Sequence, residues 1–466
     1  MEEEGAGKLH IAVLPWLAYG HLSPFLEFSN RISLLGHQVS FLSTPSNLQA
    51  LSLSPSTTTS PNLHLIPLSS FPLSLHFPAD DPDGSYYSLI NKAFDSLAGD
   101  LAGFLQTASP PVNWLIYDYN PYWSPSIARS FNIRTAFLCP LSAATLAFLG
   151  RPESLTGEDS SRSSPHHLAV KPDWIPFPTK LSYKPHEASM MYSSMYLPNG
   201  SGVSENFRLG SSLAAADVIA VRSCFELEPE WLPLLEKLYC KPVIPAGHFP
   251  SSVQTKNYKY CRDEAFEWLD KQERRSVVYV AFGSMLNLKK EEVEELARGL
   301  EISKLAFVWA YRGKEELLPV GFEERVQGRG VVCKGWVPQV KFLAHEAIGG
   351  FLTHCGWNSL VEAMGLGVAL VLLPMFADQG LNARLMEEKK IGVEVPRREE
   401  NGVFDGEDVA RVLRLVMLEK EGEEIRVRAE ELGMVLGKRE VHDGYVKGFV
   451  EYLKKFGNEV ESAGEV

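Results

Sequence analysis

The sequence predicts an α/β protein in which two Rossmann-like, doubly wound domains follow one another in tandem along the chain. Short apolar runs rich in β-branched residues alternate with longer helical patterns, which is typical of parallel α/β units. The alternation occurs in two series, separated by a polar segment at 247–259 that is rich in Ser, Pro and Tyr. A length of 466 residues accommodates two or three domains of about 150 residues each.

Each series supplies six predicted strands. Those of the first lie at 10–14, 38–43, 63–67, 114–118, 134–138 and 218–222. Those of the second lie at 277–282, 306–310, 330–333, 350–354, 369–373 and 393–396. Helical patterns include 22–35, 86–105, 290–300, 358–366, 380–389, 407–418, 421–436 and 441–456. The segment 152–204 shows little periodicity, so it is predicted to be a mobile insertion or a binding loop.

Composition and charge argue against several classes of protein. The 45 Lys and Arg against 58 Asp and Glu give a net charge of −13, which does not suit a protein that tracks nucleic-acid phosphates. No uncharged apolar stretch approaches the roughly 20 residues that span a bilayer, and the N-terminus lacks the basic start of a signal peptide. The six cysteines are dispersed without zinc-ligand spacing, so we expect free thiols, no metal site and a cytoplasmic protein.

A strand-to-helix turn at 354–359, with the sequence His-Cys-Gly-Trp-Asn-Ser, is the first candidate site. Backbone N–H groups at the start of a helix, together with the helix dipole, favour an anion. The side chains of His354, Asn358 and Ser359 add further donors, so the turn predicts a phosphate site. A second turn, at 281–284, follows another predicted strand and contains a glycine that permits close backbone approach to a ligand.

His21 and Asp118 form the second candidate site. His21 follows the first predicted strand at the mouth of a predicted helix, where the positive end of the dipole tends to keep an imidazole neutral. A neutral imidazole is what abstraction of a proton from an alcohol requires. Asp118 ends the fourth predicted strand at the same sheet edge, where it would fix the histidine tautomer. His21 and Asp118 lie about a hundred residues apart in sequence, and on that ground alone a purely structural role for His21 remains the alternative.

The 44 residues from Trp336 to Gln379 closely resemble the nucleotide-sugar signature box of the plant family 1 UDP-dependent glycosyltransferases. The segment opens with Trp-Val-Pro-Gln, continues through the turn at 354–359 to Glu362, and closes on Asp-Gln. The likeness extends over nearly the full chain, from Pro-Trp-Leu-Ala-Tyr-Gly-His at 15–21 to the tail at 438–453. It implies a GT-B fold, in which two Rossmann-like domains face a cleft.

The resemblance implies a role for each matching residue. His21 and Asp118 are the implied catalytic dyad, and no metal or other cofactor is implied. For the donor, the resemblance implies that Trp336 stacks on uracil, that Val337 bonds the base edge through its backbone, and that Gln339 and Glu362 bind the ribose. The residues implied to bind the diphosphate are Ser284, His354, Asn358 and Ser359, with Gly356 in the same turn. The residues implied to face the sugar are Trp357, Asp378 and Gln379.

The resemblance also assigns the domains. It implies an N-terminal acceptor-binding domain at 1–246, a linker at 247–262 and a C-terminal UDP-sugar-binding domain at 263–440. Residues 441–466 are expected to form a helix that packs back on the N-terminal domain, followed by a tail.

The implied reaction is inverting transfer of a hexose to a hydroxyl group. UDP-glucose is the favoured donor, because the Gln379 amide can bond two adjacent hydroxyls, with UDP-rhamnose as the alternative. The likeness at 15–26, 220–224 and 442–453 is greatest to the branch that adds glucose or rhamnose to a sugar already on a flavonoid, terpenoid or steroid. Glycosylation of the aglycone itself stays open. Candidates for an apolar acceptor wall are Phe71, Phe77, Tyr86, Tyr122, Trp123 and Phe148.

Two alternatives come from other classes of protein. An NAD-dependent oxidoreductase would share the doubled α/β pattern, but Pro-Trp at 15–16 replaces the GxGxxG turn after the first strand. A non-catalytic nucleotide-sugar-binding protein would keep the box and lose the base, yet His21 and Asp118 are both present. The expected partners are a UDP-sugar and a hydrophobic glycoside, with no nucleic acid and no membrane span, and the chain is expected to be a monomer.

Overall fold

The chain forms two compact units, each built around a parallel sheet. A computed structural model describes residues 7–52, 60–72, 85–249, 263–283 and 287–463. Unit 1 comprises Met1–Ser164, Tyr192–Phe249 and Arg439–Val466, and unit 2 comprises Pro165–Met191 and Pro250–Lys438.

The sheet of unit 1 has seven strands, all parallel. They are β1 (His10–Leu14), β2 (Gln38–Ser43), β3 (Leu63–Pro67), β4 (Trp114–Tyr117), β5 (Arg134–Cys139), β6 (Val218–Val221) and β7 (Val243–Pro245). Their spatial order is β3-β2-β1-β4-β5-β6-β7, which begins with the 3-2-1-4-5 order of doubly wound folds. Strands β1, β4 and β6 are buried along their whole length, as expected where helices cover both faces of a sheet.

The sheet of unit 2 repeats this order with six parallel strands. They are β8 (Val277–Ala281), β9 (Ala306–Tyr311), β10 (Gly330–Lys334), β11 (Ile348–Thr353), β12 (Ala369–Leu372) and β13 (Gly392–Glu394). Their spatial order is β10-β9-β8-β11-β12-β13. The prediction of two doubly wound sheets is therefore confirmed. Among the strands of the described ranges, β7 alone was not predicted, because three residues ending on a proline carry no strand pattern.

The described part of the chain contains twenty α-helices, the last three of which follow the final strand. Those of unit 1 are α1 (Tyr19–Leu34), α2 (Pro45–Ser52), α3 (Ser85–Asp95), α4 (Ala98–Thr107), α5 (Ser124–Ser130), α6 (Ala143–Leu149), α7 (Pro152–Thr156), α10 (Glu205–Ala215), α11 (Trp231–Tyr239) and α20 (Arg439–Ala463). Those of unit 2 are α8 (Pro165–Leu168), α9 (Pro185–Met191), α12 (Asp263–Leu269), α13 (Lys290–Ser303), α14 (Phe322–Arg325), α15 (Gln339–Leu343), α16 (Trp357–Gly365), α17 (Gln379–Glu388), α18 (Gly406–Met417) and α19 (Glu423–Leu436).

The last helix, α20, belongs to unit 1 although it follows all of unit 2 in sequence. Val446, Phe449, Val450 and Leu453 recur at helical spacing and are buried in the core of unit 1. The ring of Phe449 lies 5.4 Å from that of Phe28 on α1. This apolar stripe explains why the end of the chain joins the first sheet.

The predicted helix at 86–105 is wrong in one respect, because the structure divides it into α3 and α4. The break falls at Ser96 and Leu97. The hydroxyl of Ser96 donates to the carbonyl of Ala93 at 2.6 Å, and the N–H of Leu97 donates to the carbonyl of Phe94 at 3.0 Å. A serine hydroxyl that bonds a nearby carbonyl competes with the helical pattern, so the chain turns here.

The segment 152–204, which was expected to lack clear elements, contains three short helices, α7, α8 and α9, and a five-residue π-helix at Tyr192–Tyr196. Each of the three α-helices begins at a proline, whose fixed φ suits the first helical position. Helices this short carry little periodicity, which explains the missed prediction. Residues Pro165–Met191 group with unit 2, although they lie within the predicted N-terminal domain. Of the predicted linker, residues 250–262 lie outside the described residues.

Candidate active site

Both sheets reverse their strand order at one point, between β1 and β4 in unit 1 and between β8 and β11 in unit 2. In open parallel sheets, ligands bind beyond the carboxyl ends of the strands at this reversal. Leu14 pairs with Tyr117 at the first reversal, and Ala281 pairs with Thr353 at the second. The two candidate sites predicted from the sequence follow these four strand ends.

His21 and Asp118 form a close pair in unit 1, with 2.7 Å between His21 Nδ1 and Asp118 Oδ2. Asp118 is fully buried, whereas the His21 side chain is 22% exposed. Asp118 Oδ2 also accepts the backbone N–H of Trp16 at 3.0 Å, and Oδ1 accepts that of Tyr119 at 2.7 Å. Hydrogen-bond donors hold both carboxylate oxygens of Asp118 in place. Asp118 therefore fixes the His21 tautomer in which the proton is on Nδ1 and the basic lone pair is on Nε2.

Helix α1 sets the position of His21. The backbone N–H groups of His21 and Leu22 both donate to the carbonyl of Ala18 at 2.9 Å. His21 is the third residue of this helix, which begins at Tyr19, three residues before the predicted start. An imidazole here faces the positive end of the helix dipole, and the buried carboxylate of Asp118 offsets that field when the ring takes up a proton.

Tyr119 contacts both members of this pair, and the sequence analysis missed it. Its backbone N–H binds Asp118, and its ring lies 5.6 Å from that of His21. Its hydroxyl donates to Glu205 Oε2 at 3.1 Å and lies 3.0 Å from the Tyr87 hydroxyl. Burial, reinforced by Tyr87 and Glu205, raises the pKa of Tyr119 well above its usual value, so the phenol stays protonated. The available signal was its place directly after Asp118.

The candidates for an acceptor wall fall into two groups. Phe71 and Phe148 are buried in unit 1, at 4% and 0% exposure, and therefore pack its core. Three others are partly exposed, namely Tyr86, Tyr122 and Trp123. Phe77 lies outside the described residues.

In unit 2, the predicted phosphate turn joins β11 to α16 through a strained backbone. Cys355 has a φ of +67°, a left-handed conformation that is uncommon for a residue other than glycine. Asn382 Nδ2 donates to the Cys355 carbonyl at 3.1 Å and so holds this turn from α17. Gly356 is the N-cap of α16 in extended conformation. Such strain commonly accumulates at ligand-binding turns.

The His354 ring lies between two glycines. A Cβ on Gly283 or on Gly356 would stand only 2.7 Å from His354 Nε2. His354 Nδ1 is buried and has no hydrogen-bond partner among the described residues. Burial lowers the pKa of His354 to about 4, so the ring is neutral at pH 7 and offers a ligand a dipolar N–H rather than a positive charge. Ser284, the predicted neighbour in this turn, lies outside the described residues.

The residues predicted to bind the nucleoside lie on α15, on α16 and in the loop that precedes α15. Gln339 Nε2 donates to Ser359 Oγ at 3.0 Å and to Glu362 Oε2 at 2.8 Å, so the structure brings these three side chains together. Trp336 precedes α15 and is 51% exposed, which is unusual for an indole. Val337, next to it, is partly exposed. A half-exposed indole three residues before Gln339 in the sequence suits stacking on the base of a nucleoside.

The residues predicted to face the sugar are more constrained than the sequence indicated. Gln379 Oε1 accepts the backbone N–H groups of Met375 and Phe376 at 2.9 and 3.1 Å, and because both partners are donors this atom must be the oxygen. These bonds leave the NH₂ group of Gln379 for a hexose, so the predicted pairing with two hydroxyls would have to use its two N–H donors. Gln379 is only 3% exposed. Asp378 Oδ2 accepts Asn382 Nδ2 at 2.7 Å.

Two predicted members of the donor set differ in exposure. Trp357 is only 4% exposed, so its indole packs at the start of α16 and offers little open surface. Asn358, the next residue, is partly exposed in the first turn of the same helix.

The described ranges of the chain bear on metal binding and on membrane insertion. They contain no group of three or more His, Cys, Asp or Glu residues placed to hold a metal ion. None of the helices described has the length and apolar character needed to cross a bilayer.

Comparisons with known proteins agree with this architecture. The family model described as UDP-glucoronosyl and UDP-glucosyl transferase matches residues 202–425. The chain is 43% identical to UDP-glycosyltransferase 91C1 of Arabidopsis thaliana, over 97% of this chain and 98% of that relative. It is 36% identical to soyasaponin III rhamnosyltransferase of Glycine max, over 96% of each chain. The structure of Phytolacca americana UGT2 with UDP-2fluoro-glucose and pterostilbene superimposes with a TM-score of 0.74 at 26% identity, covering 96% of this chain and 99% of that one.

Two Rossmann-like units that match solved UDP-sugar complexes over nearly their full length define a glycosyltransferase of the GT-B class. This class agrees with the signature box and argues against the oxidoreductase alternative. The chain belongs to the plant family 1 UDP-dependent glycosyltransferases.

Proposed function

We propose that this enzyme transfers a hexose from a UDP-sugar to a hydroxyl group of a plant specialised metabolite, with inversion at the anomeric carbon and His21 as the base. The observation that carries the proposal is the 2.7 Å pair of His21 and Asp118 at the strand-order reversal of unit 1. A histidine whose Nδ1 is held by a buried carboxylate has the tautomer that proton abstraction through Nε2 requires.

In the proposed reaction, one bond forms and one bond breaks at the anomeric carbon in a single displacement. His21 Nε2 takes the proton of the acceptor hydroxyl as its oxygen attacks from the side opposite UDP. The bond from the anomeric carbon to the diphosphate oxygen breaks, and UDP leaves with the electron pair. Asp118 stabilises the imidazolium that forms. His354, Asn358 and the backbone N–H groups at the start of α16 would stabilise charge on the departing diphosphate.

Trp336 provides a direct test of the proposed nucleotide site. Trp336→Ala is expected to weaken UDP binding by about 10- to 100-fold, since stacking of a base on an aromatic ring contributes about 1–3 kcal/mol. The side chain is half exposed, so the melting temperature should change little. Calorimetric titration with UDP measures the effect. Trp336→Phe should recover part of the affinity, and an unchanged Kd in the alanine variant would remove Trp336 from the site.

The acceptor proposed is a glycoside, with addition to its existing sugar. The 36% identity to soyasaponin III rhamnosyltransferase supports this choice, because a saponin already carries sugar. UDP-glucose is the proposed donor, with UDP-rhamnose as the alternative. The NH₂ group of Gln379 carries two N–H donors, which can bond hydroxyl oxygens of either sugar.

A mass-spectrometric screen tests donor and acceptor together. UDP-glucose and UDP-rhamnose are each combined with flavonoid, terpenoid and steroid aglycones and with their monoglycosides. We expect a mass gain of one hexose or deoxyhexose on the monoglycosides, and we expect the reaction to persist in EDTA. Product from the aglycones alone would contradict the sugar-on-sugar proposal and favour glycosylation of the aglycone.

A further inference from the structure

The segment Pro165–Met191 is a part of the chain that the proposed reaction does not use. It lies between two stretches of unit 1 in sequence, yet it belongs to unit 2. Three side-chain contacts tie this segment to α17 and β13 of unit 2. We refer to Pro165–Met191 as the docked segment.

A buried ion pair makes the first contact. Arg384 Nη2 on α17 lies 2.8 Å from Glu187 Oε2 on α9, and Arg384 Nη1 donates to Glu187 Oε1 at 3.1 Å. Both side chains are 7% exposed. Because a buried pair that loses one partner leaves an uncompensated charge, α9 and α17 are strongly fixed to each other.

Two further contacts flank this pair. Lys184 Nζ lies 2.6 Å from Glu394 Oε1 on β13, and Thr179 Oγ1 donates to Glu388 Oε1 at 2.8 Å near the end of α17. Glu394 is also 3.6 Å from Arg384 Nη2. The docked segment therefore follows α17 along its length.

The same arginine reaches the end of α17 that carries the predicted sugar contacts. Arg384 Nη1 donates to the carbonyl of Gly380 at 2.5 Å, one residue after Gln379. A Cβ on Gly380 would lie 2.8 Å from both Arg384 Nη1 and Glu187 Oε2, so the ion pair occupies the space that this glycine leaves. The side-chain oxygen of Gln379, Oε1, in turn accepts the backbone N–H groups of Met375 and Phe376. The Glu187–Arg384 pair thus packs against the first turn of α17 at Gly380.

We propose that Glu187 is a positioning residue for the donor sugar, which acts through Arg384 to hold the first turn of α17, and with it Asp378 and Gln379, at the hexose. The uridine contacts proposed for α15 and α16 do not pass through this pair. The turn at 354–359 meets α17 through Asn382, whose amide donates to the Cys355 carbonyl at 3.1 Å, so the effect of the pair on the diphosphate is indirect and should be smaller than its effect on the sugar. The inference rests on the proposed function, since it assumes that Asp378 and Gln379 meet the sugar of a UDP-sugar.

The test compares UDP with a UDP-sugar in the Glu187→Gln variant. We expect kcat/KM for the UDP-sugar to fall by about 10- to 100-fold, as misplacement of positioning groups by about 1 Å can do, while the Kd for UDP alone stays within about twofold. Calorimetry gives the UDP affinity, and initial rates of product formation give kcat and KM. A KM increase for the donor with UDP affinity preserved is the signature of a misplaced sugar contact.

Two further variants keep the test decisive. Glu424→Gln breaks the Lys390–Glu424 pair, which has a similar 2.7 Å distance but side chains that are 63% and 69% exposed, and should leave all constants unchanged. Should Glu187→Gln fail to fold, Thr179→Val removes a contact of the docked segment without stranding a buried charge, and should produce the same selective loss to a smaller degree.

Several outcomes would overturn the inference. An unchanged kcat/KM in a folded Glu187→Gln variant would overturn it. If Glu187→Gln does not fold, an unchanged kcat/KM in Thr179→Val would overturn it. An equal loss of affinity for UDP and for the UDP-sugar would also overturn it. A wild-type enzyme that neither binds nor transfers from a UDP-sugar would instead overturn the proposed function, so the two failures are distinguishable.

Discussion

Replacing His21 with alanine is expected to lower kcat for sugar transfer by about 10²–10⁴-fold, the range that general-base catalysis supplies. The affinity for UDP should be unchanged, because the proposed uridine and diphosphate contacts lie in unit 2. His21 is partly exposed and its loss leaves Asp118 with its backbone donors at Trp16 and Tyr119, so the fold should persist. Initial rates with saturating donor and calorimetric titration with UDP measure the two quantities.

His64→Ala is a matched control, because this histidine lies on β3 in the same unit and is exposed. It should transfer sugar at the wild-type rate. A His21→Ala variant that retains turnover, or loses it together with UDP binding, would remove His21 from the role of base.

Gly283→Ala is expected to weaken UDP binding by about 10- to 100-fold, through displacement of His354. The new Cβ would stand 2.7 Å from His354 Nε2, and Gly356 closes the other side of the ring. A displaced ring would lose the hydrogen bond that we propose between His354 and the diphosphate, and a bond to a charged group is worth about 1.5–3 kcal/mol. Calorimetry with UDP measures the loss.

Backbone strain alone must be separated from this effect, because Gly283 has a φ of +76°. Gly328→Ala supplies the control, since Gly328 has a φ of +87° and nothing within 4 Å of the added Cβ. Both variants should lose about 1–2 kcal/mol of stability, the cost of a left-handed residue with a side chain, and Gly283→Ala adds the contact with His354. Equal UDP affinity in the two variants would contradict the role of His354.

The sheets could be predicted from the sequence because buried parallel strands consist of continuous runs of apolar residues. Strand β8, Val277–Ala281, is buried at every position, and its pattern is visible without any knowledge of its neighbours. The candidate site was predictable for a related reason, since polar residues directly follow the strand ends. His354 after β11 and Asp118 after β4 are examples.

The features of the fold and the site that the sequence did not predict depend on contacts between residues distant in sequence. Glu187 pairs with Arg384, 197 positions away, and no local pattern in a proline-rich segment reports such a partner. The path of the loop at 375–378 likewise determines that the side-chain oxygen of Gln379 accepts two backbone N–H groups. Periodicity describes how an element is buried, and it does not describe which charged side chains meet.

The negative charge of the protein bears on how a donor would be held. A net charge of −13 opposes an anionic nucleotide sugar at long range. The proposed site has a neutral histidine, amide groups and a helix start in place of a cluster of cations. Binding of UDP should therefore depend on short-range hydrogen bonds, which the Gly283→Ala experiment probes.

The configuration of the product tests the central claim most directly. NMR of the glycoside formed from a donor of known anomeric configuration reports on which side of the carbon the acceptor oxygen attacked. Attack by a hydroxyl that His21 deprotonates opposite UDP predicts a product of inverted configuration only. A product that retains the donor configuration would contradict this account, because it would require a second displacement in which another group first attacks the sugar.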